Sequence, residues 1–283
     1  MPRILIAGCG YLGQATADSF VGGGCEVEGW TRSAEAVQKL SAKPYRARAI
    51  DLSDEHQVAG CEGEFDAVIH CASTRGGGVE LYRQVYLEGL RNLLSRFGSS
   101  RILFVSSTSV YAQSGGEWVT EQSAAEPKHS TGQVLREAEQ LALEHCGIVV
   151  RLAGIYGPGR SHLLKTFLAG EATIDPENDR FINQIHREDA AGAIAFLLHR
   201  QSIQGEIFNV VDDQPISQSE CYRWLAGKLD RPLPPAGASA KQRKRGRSNK
   251  RVSNAKLRSL GWNPRYSTFA QGMENSALSS FGL

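Results

Sequence analysis

Six residues near the start of the chain, Gly8-Cys9-Gly10-Tyr11-Leu12-Gly13, constrain its architecture more than any other stretch. They follow a short apolar run at residues 3–7 that reads as a β-strand, and they open a run at 12–22 that reads as a helix. Each glycine at this spacing has a physical task. Gly8 permits a tight turn, Gly10 lets the backbone approach a pyrophosphate, and Gly13 lets the helix pack closely on the strand. The helix N-terminus then offers N–H groups and the positive end of its dipole to the phosphates. A glycine turn that binds nothing is the competing reading. The strand–turn–helix context favours a dinucleotide site.

The alternation continues beyond that turn. Residues 26–31, 66–70, 101–106 and 148–152 read as strands, separated by helical stretches at 34–40, 79–97 and 130–144. Such a pattern argues for βαβ units, and hence for an α/β chain built on a doubly wound parallel Rossmann sheet. The second half is less regular. It offers a helix at 187–200 with Asp189 in its first turn, a strand at 206–211, and a helix at 217–229 that Ser217 can cap. Residues 1–155 are expected to form the dinucleotide-binding domain and 156–283 a smaller C-terminal substrate lobe, with roughly 182–212 returning to the Rossmann sheet.

Composition sets the outer limits. Of 283 residues, 41% are hydrophobic and 22% charged, an ordinary globular balance, and a net charge of +2 points to no polyanionic partner. No apolar run reaches the roughly 18–20 residues of a membrane span, and the start lacks the apolar core and cleavage site of a secretory leader. The six cysteines (Cys9, Cys25, Cys61, Cys71, Cys146 and Cys221) never fall within three residues of one another. That spacing gives no zinc ribbon and no CxxC pair, so no metal is expected, and a reducing, cytoplasmic setting fits best.

The end of the second strand bears on which dinucleotide is held. An NAD site usually places Asp or Glu there to accept from the adenosine ribose hydroxyls. Here the run is Trp30-Thr31-Arg32-Ser33. Arg32 offers a planar fork of donors to a 2′-phosphate, and Thr31 and Ser33 could add neutral ones. Glu28 is a competing carboxylate but lies earlier in the strand, and Arg32 could instead be a solvated loop charge. NADP is favoured over NAD.

In order along the chain, further segments extend the pattern: Asp51-Leu52, His70-Cys71-Ala72-Ser73, Ser106-Ser107-Thr108-Ser109-Val110-Tyr111, the run from Arg151 through Tyr156-Gly157-Pro158-Gly159-Arg160, and Ile185-His186-Arg187-Glu188-Asp189. With the glycine turn, they resemble the extended short-chain dehydrogenase/reductase superfamily, specifically its NAD-dependent epimerase/dehydratase group. The chain is similar to an atypical subgroup carrying GxGYLG and a segment like that at 250–257. The resemblance implies that Asp51 contacts the adenine amine and that Cys71, Ala72 and Ser73 line the dinucleotide through their backbone. It also places Tyr11, Leu12, Leu52, Ser106 and Ala153 around the cofactor, and it allows a homodimer.

Family members of this kind use a tyrosine as acid or base and a lysine four residues later that lowers its pKa, with an upstream Ser or Thr and often an Asn. Matching by spacing puts Thr131 at the tyrosine, Leu135 at the lysine, Ser107 at the serine and Tyr86 at the asparagine. Threonine has no useful acid–base role near neutrality, and leucine can bias no pKa. Ser107 and Tyr111 are the candidate catalytic residues that remain. Tyr86, His129 and His186 are weaker substitutes, each with an ordinary structural alternative.

Arg160 could pair with an anionic substrate group. Residues 241–251 hold seven Lys or Arg in eleven positions, but no interleaved aromatic, so a solvated loop is preferred over a phosphorylated ligand, and nucleic acid is disfavoured further. The expected activity is that of an NADP-binding oxidoreductase or epimerase-like protein acting on a small or sugar-like substrate. The alternative is a catalytically inactive NADP-binding sensor or scaffold.

Overall fold

The computed structural model describes residues 1–74, 76–237 and 248–283. The central sheet has seven strands: β1 (Arg3–Ala7), β2 (Glu26–Thr31), β3 (Arg46–Ala49), β4 (Ala67–His70), β5 (Arg101–Ser107), β6 (Ile148–Leu152) and β7 (Ile207–Val210). Their spatial order is β7-β6-β5-β4-β1-β2-β3. β1 pairs in parallel with β2 and β4, β2 with β3, and β4 with β5. At the far edge Val149 N donates to Glu206 O and Ala153 N to Val210 O, the matched advance of parallel neighbours. The order reverses between β1 and β4, so the carboxyl ends of these two strands open the crevice where α/β sheets take their ligands.

The strands read as near-continuous apolar runs because helices cover them. All four residues of β4 and four of five in β1 are buried. Each fully buried Leu or Ile there contributes roughly 2 kcal/mol of apolar transfer. The first helices are α1 (Tyr11–Gly22), α2 (Ala34–Gln38) and α3 (Glu55–Ala59). Ser33 and Asp54 cap α2 and α3 by accepting from Ala36 N and Gln57 N.

The helix expected over 79–97 is interrupted. It runs as α4 (Val79–Tyr82), a π-helical turn (Arg83–Glu88) and α5 (Gly89–Phe97). Gly89 N donates to Gln84 O, five residues back, and the Val85 carbonyl instead accepts from His70 Nε2 at 2.9 Å. After these come α6 (Ser130–Glu144), α7 (His162–Leu168), α8 (Arg187–Leu198) and α9 (Gln218–Lys228). Ser217 and Glu220 form a complete capping box on α9.

The chain divides into two compact units. The first comprises Met1–Val110, Ala125–Arg151 and Ala190–Phe208; the second comprises Tyr111–Ala124, Leu152–Asp189 and Asn209–Leu283. The expected division at 155/156 therefore differs in two respects. Residues 111–124 join the second unit, where Trp118–Val119 pairs in parallel with Arg251–Val252. The returning segment is 190–208 and not 182–212, because Gln184–His186 pairs with Gly154–Tyr156 inside the second unit. The second unit has its own core, with Tyr156, Leu164, Cys221, Leu225, Phe269 and Met273 at its centre. Among the described residues no helix is long and apolar enough to cross a membrane. No described group of three or more His, Cys, Asp or Glu is arranged to hold a metal ion. Of the basic stretch at 241–251, residues 241–247 lie outside the described residues.

Candidate dinucleotide site

Parallel strands bring their carboxyl ends to one edge, and the glycine turn sits at that edge of the first unit. Gly8 has φ +106°, a left-handed conformation that an L side chain avoids, and a Cβ built on it would lie 2.2 Å from Ala72 N. That contact is with backbone, which cannot swing aside. Gly8 N and Cys9 N both donate to Trp30 O, at 3.1 and 2.7 Å, tying the turn to the end of β2. Gly13 would place a Cβ 2.3 Å from Gly8 O and 3.1 Å from Ile6 Cγ2, so its role is helix-to-turn packing. α1 has Gly10 at its N-cap, with no side-chain cap and no acidic residue in its first turn. A polyanion is what such a helix end accepts. These features fit a dinucleotide pyrophosphate.

The other expected contacts separate into those gathered at the edge and those turned into the core. Ile50 N donates to Thr31 O, which brings Asp51 to the end of β2. Asp51 Oδ1 accepts from Ser53 N at 3.0 Å and Ser53 Oγ at 2.7 Å, so one carboxylate oxygen closes a local turn. Ala72 and Ser73 leave β4 directly beneath Gly8. Cys71 is pinned there, its thiol donating to Gly8 O at 3.3 Å, and burial raises its pKa far above the ordinary thiol range. The neighbouring Cys9 thiol is pushed up to about 11 by burial. Neither is a reactive thiolate.

Three expected cofactor contacts sit deeper. Leu52 is buried, and its carbonyl accepts from Asn92 Nδ2 at 2.9 Å. The Ser106 hydroxyl is buried and donates to Glu139 Oε1 at 2.5 Å. Ala153 belongs to the second unit, buried, with its N–H on Val210 O. Glu139 also takes Arg151 through Nε at 3.0 Å and Nη2 at 2.7 Å, and it pairs with Arg136. Two arginines and a serine compensate this fully buried carboxylate. Nothing in the spacing of 106, 139 and 151 along the sequence signals this clamp.

At the end of β2 the three expected phosphate contacts are unequal. The Thr31 hydroxyl donates to Ser33 O at 3.2 Å, and Ser33 Oγ accepts from Ala36 N at 3.3 Å while keeping its own proton to donate. Arg32 is exposed and has no hydrogen bond or ion pair among the described residues. Glu28, the competing carboxylate, is buried within the strand. It accepts from Trp30 Nε1 at 2.7 Å and from Arg48 Nη1 at 3.4 Å. Glu28 is thus a buried carboxylate already engaged by two donors.

The catalytic candidates fare differently. Ser107 ends β5 half-buried, and its Oγ accepts from Ser109 N at 3.1 Å, which leaves the hydroxyl proton available. Tyr111 lies deeper than Ser107. It is 1% exposed in the second unit, and its hydroxyl lies 2.9 Å from Asn209 Oδ1 and 3.0 Å from Thr120 O. A buried hydroxyl committed to those acceptors is a structural group. In the first unit Thr131 is half-buried, and Leu135 lies in the core at 3% exposure. Tyr86 sits on the π-helical turn, its ring packed against His70, Tyr82 and Phe104.

The two histidines differ in setting, His186 buried and His129 exposed. His186 has Nε2 3.1 Å from Ser276 Oγ, its Nδ1 accepts from Glu188 N, and burial lowers its pKa to about 4. His129 is exposed at the start of α6 and makes no side-chain cap. Arg160 is exposed, and its backbone closes a turn with Gly157.

A model of the NAD dependent epimerase/dehydratase family matches residues 4–210. Protein YeeZ of Escherichia coli (strain K12) is 31% identical over 243 residues, spanning 81% of this chain and 84% of the relative. A solved structure from Methylobacillus flagellatus, itself assigned no further than NAD-dependent epimerase/dehydratase, superposes with a TM-score of 0.81 at 28% identity, covering 100% of this chain and 99% of that one. The UDP-glucose 4-epimerase of Thermus thermophilus, in complex with NAD, gives a TM-score of 0.83 at 20% identity over 99% of both chains, a likeness of fold.

Proposed function

We propose, because this chain belongs to the NAD dependent epimerase/dehydratase family, that it is an NADP(H)-binding oxidoreductase-type protein for a small or sugar-like substrate. Its proton chemistry does not run through a Tyr/Lys pair. One observation carries the choice of dinucleotide: Arg32 stands unpaired and exposed after β2, while Glu28, the nearest acid, is consumed by Trp30 and Arg48. A 2′-phosphate gives that guanidinium a partner, and a 2′-hydroxyl does not. When bound, the dinucleotide supplies or accepts hydride. The chain's own residues cradle it: Gly8 and Gly10 admit the pyrophosphate, the uncapped start of α1 faces it, and Ala72-Ser73 lie below.

Ser107 is the remaining candidate for orienting a substrate oxygen, since its proton is unspent. Leu135 occupies the lysine position inside the core, and that favours the second reading, a dinucleotide-binding sensor or scaffold without turnover. Titration with NADPH and NADH, followed by incubation of the NADPH complex with a panel of aldehydes and ketoses, separates the two. Tight NADPH binding with substrate-dependent oxidation supports the oxidoreductase, and tight binding without oxidation supports the sensor. Equal or tighter NADH binding overturns the assignment of NADP.

A further inference from the structure

Lys250 is an unusual lysine. It is only 5% exposed, in a protein whose other charges are mostly solvated or paired. It follows the undescribed stretch and precedes the short strand Arg251–Val252 in the second unit. Nζ donates to the Tyr111 carbonyl at 2.8 Å, and among the described residues this is its hydrogen-bond partner. No carboxylate among the described residues lies within ion-pair distance of it. An ammonium has three N–H donors, so two remain to be used. Burying an uncompensated cation is strongly unfavourable, and the usual remedy is an anion at hydrogen-bond distance.

The surroundings are rigid, and they too carry an unpaired group. Asn183 holds the lysine's backbone from both sides, with Nδ2 donating to Lys250 O at 2.9 Å and Oδ1 accepting from Val252 N at 2.8 Å. Asn249 N donates to Gln113 O, and Asn249 O accepts from Gly116 N. Two residues beyond Tyr111, Gln113 Oε1 is buried and has no donor, although its Nε2 donates to Ala124 O. Lys250 thus presents its spare donors from a fixed frame, and the unpaired Gln113 Oε1 belongs to the residue two positions beyond the carbonyl that holds it. Buried polar groups without partners mark places where something outside the chain completes the bonding.

We infer that Lys250 is the receptor for an anionic oxygen group of a small-molecule ligand, a carboxylate or a phosphoryl oxygen. The inference rests on the reading that this protein takes a small-molecule substrate, but not on which dinucleotide it holds. Burial lowers the Lys250 pKa to about 8, against a weaker opposing pull from the Glu117 carboxylate. The ligand therefore binds together with a proton above that pH, and its affinity falls as the medium becomes more alkaline. Glu117 is the charged group that acts on it across the pairing, and its Oε2 is already engaged by Gly115 N at 2.8 Å. Arg251, next in the chain, is turned to Gly116 O and to the rings of Trp118 and Phe181.

The test is an NMR titration of the whole protein labelled with 13C at lysine Cε, with the Lys250 signal assigned by its loss in Lys250→Arg. In chloride the signal should titrate near pH 8. At matched ionic strength, saturating inorganic phosphate or acetate should raise that midpoint by about one unit or more, the effect of an opposite charge in contact. Response to phosphate alone identifies a phosphoryl ligand, and response to acetate alone a carboxylate. A midpoint near the ordinary value for lysine, or a midpoint that neither anion moves, overturns the inference. NADPH binding, read separately by fluorescence, is unaffected by either outcome, so the two readings fail independently. Should Lys250→Arg prove unstable, Lys250→Met supplies the assignment in its place, and the titration itself is read on the wild-type protein.

Discussion

Replacing Arg32 by alanine tests the proposed 2′-phosphate contact cleanly, because the wild-type guanidinium has no partner among the described residues to lose. Ser33 keeps its bond from Ala36 N, so α2 retains its cap in the variant. Hydrogen bonds to a charged group contribute about 1.5–3 kcal/mol. Arg32 is exposed, and solvent screening puts the expected loss at the lower end, about 1.5 kcal/mol, or roughly a tenfold rise in the Kd for NADPH. NADH, with a hydroxyl in place of the phosphate, should change by less than about twofold. Fluorescence titration of both dinucleotides at low salt measures this, and raising the salt should narrow the wild-type preference, since a screened charge carries it. Equal weakening of both dinucleotides would mean that Arg32 supports the fold, not the phosphate. An unchanged NADPH affinity would refute the reasoning outright.

Other expectations follow from the same geometry. Gly13→Ala forces a Cβ against the Gly8 carbonyl, and it should cost about 1–3 kcal/mol in urea unfolding and abolish dinucleotide binding. Tyr111→Phe strands Asn209 Oδ1, while Thr120 O keeps its bond from Ser123 N, so stability should drop by about 1–3 kcal/mol while NADPH affinity stays put; lost affinity with intact stability would restore Tyr111 to the site. His70 and His186 both have folded pKa values lowered by burial to about 4, below the ordinary 6.5. The unfolded chain therefore binds their protons first, and stability should decline as pH falls from about 6.5 towards 4. Each histidine adds a slope of up to about 1.4 kcal/mol per pH unit, measurable by denaturant titration at several pH values. A flat profile over that window would contradict the buried neutral imidazoles.

Local signals carried the sequence reading where the structure is local. The strand, glycine turn and helix at 3–22 are contiguous, and each glycine's demand is met within the turn or by the next strand. The alternation of elements likewise foretold the parallel sheet, because a βαβ unit writes its period into adjacent residues. What depended on distant partners was hidden. Nothing in Glu28 alone says that Trp30 and Arg48 will enclose it. Ser106 resembles a cofactor contact until Glu139 claims its hydroxyl. Along the sequence Tyr111 stands four residues from Ser107, whereas in space its hydroxyl meets Asn209 and Thr120. Lys250 was concealed by composition: within a run of basic residues, one that turns inward looks like the rest.

The π-helical turn at Arg83–Glu88 has a consequence for how this chain can vary. One surplus residue shifts the phase of everything after it by about 100° relative to an uninterrupted α-helix. The apolar face of Leu90, Leu93, Leu94 and Phe97 is seated in the phase set after the turn, while Tyr82 is seated in the phase before it. Removing a single residue between them would close the turn into regular helix and force one of the two faces out of its seat. It would also return the Val85 carbonyl to the helix and take away the acceptor for His70. This stretch should therefore tolerate many substitutions but no change in length, a rigidity of count and not of composition.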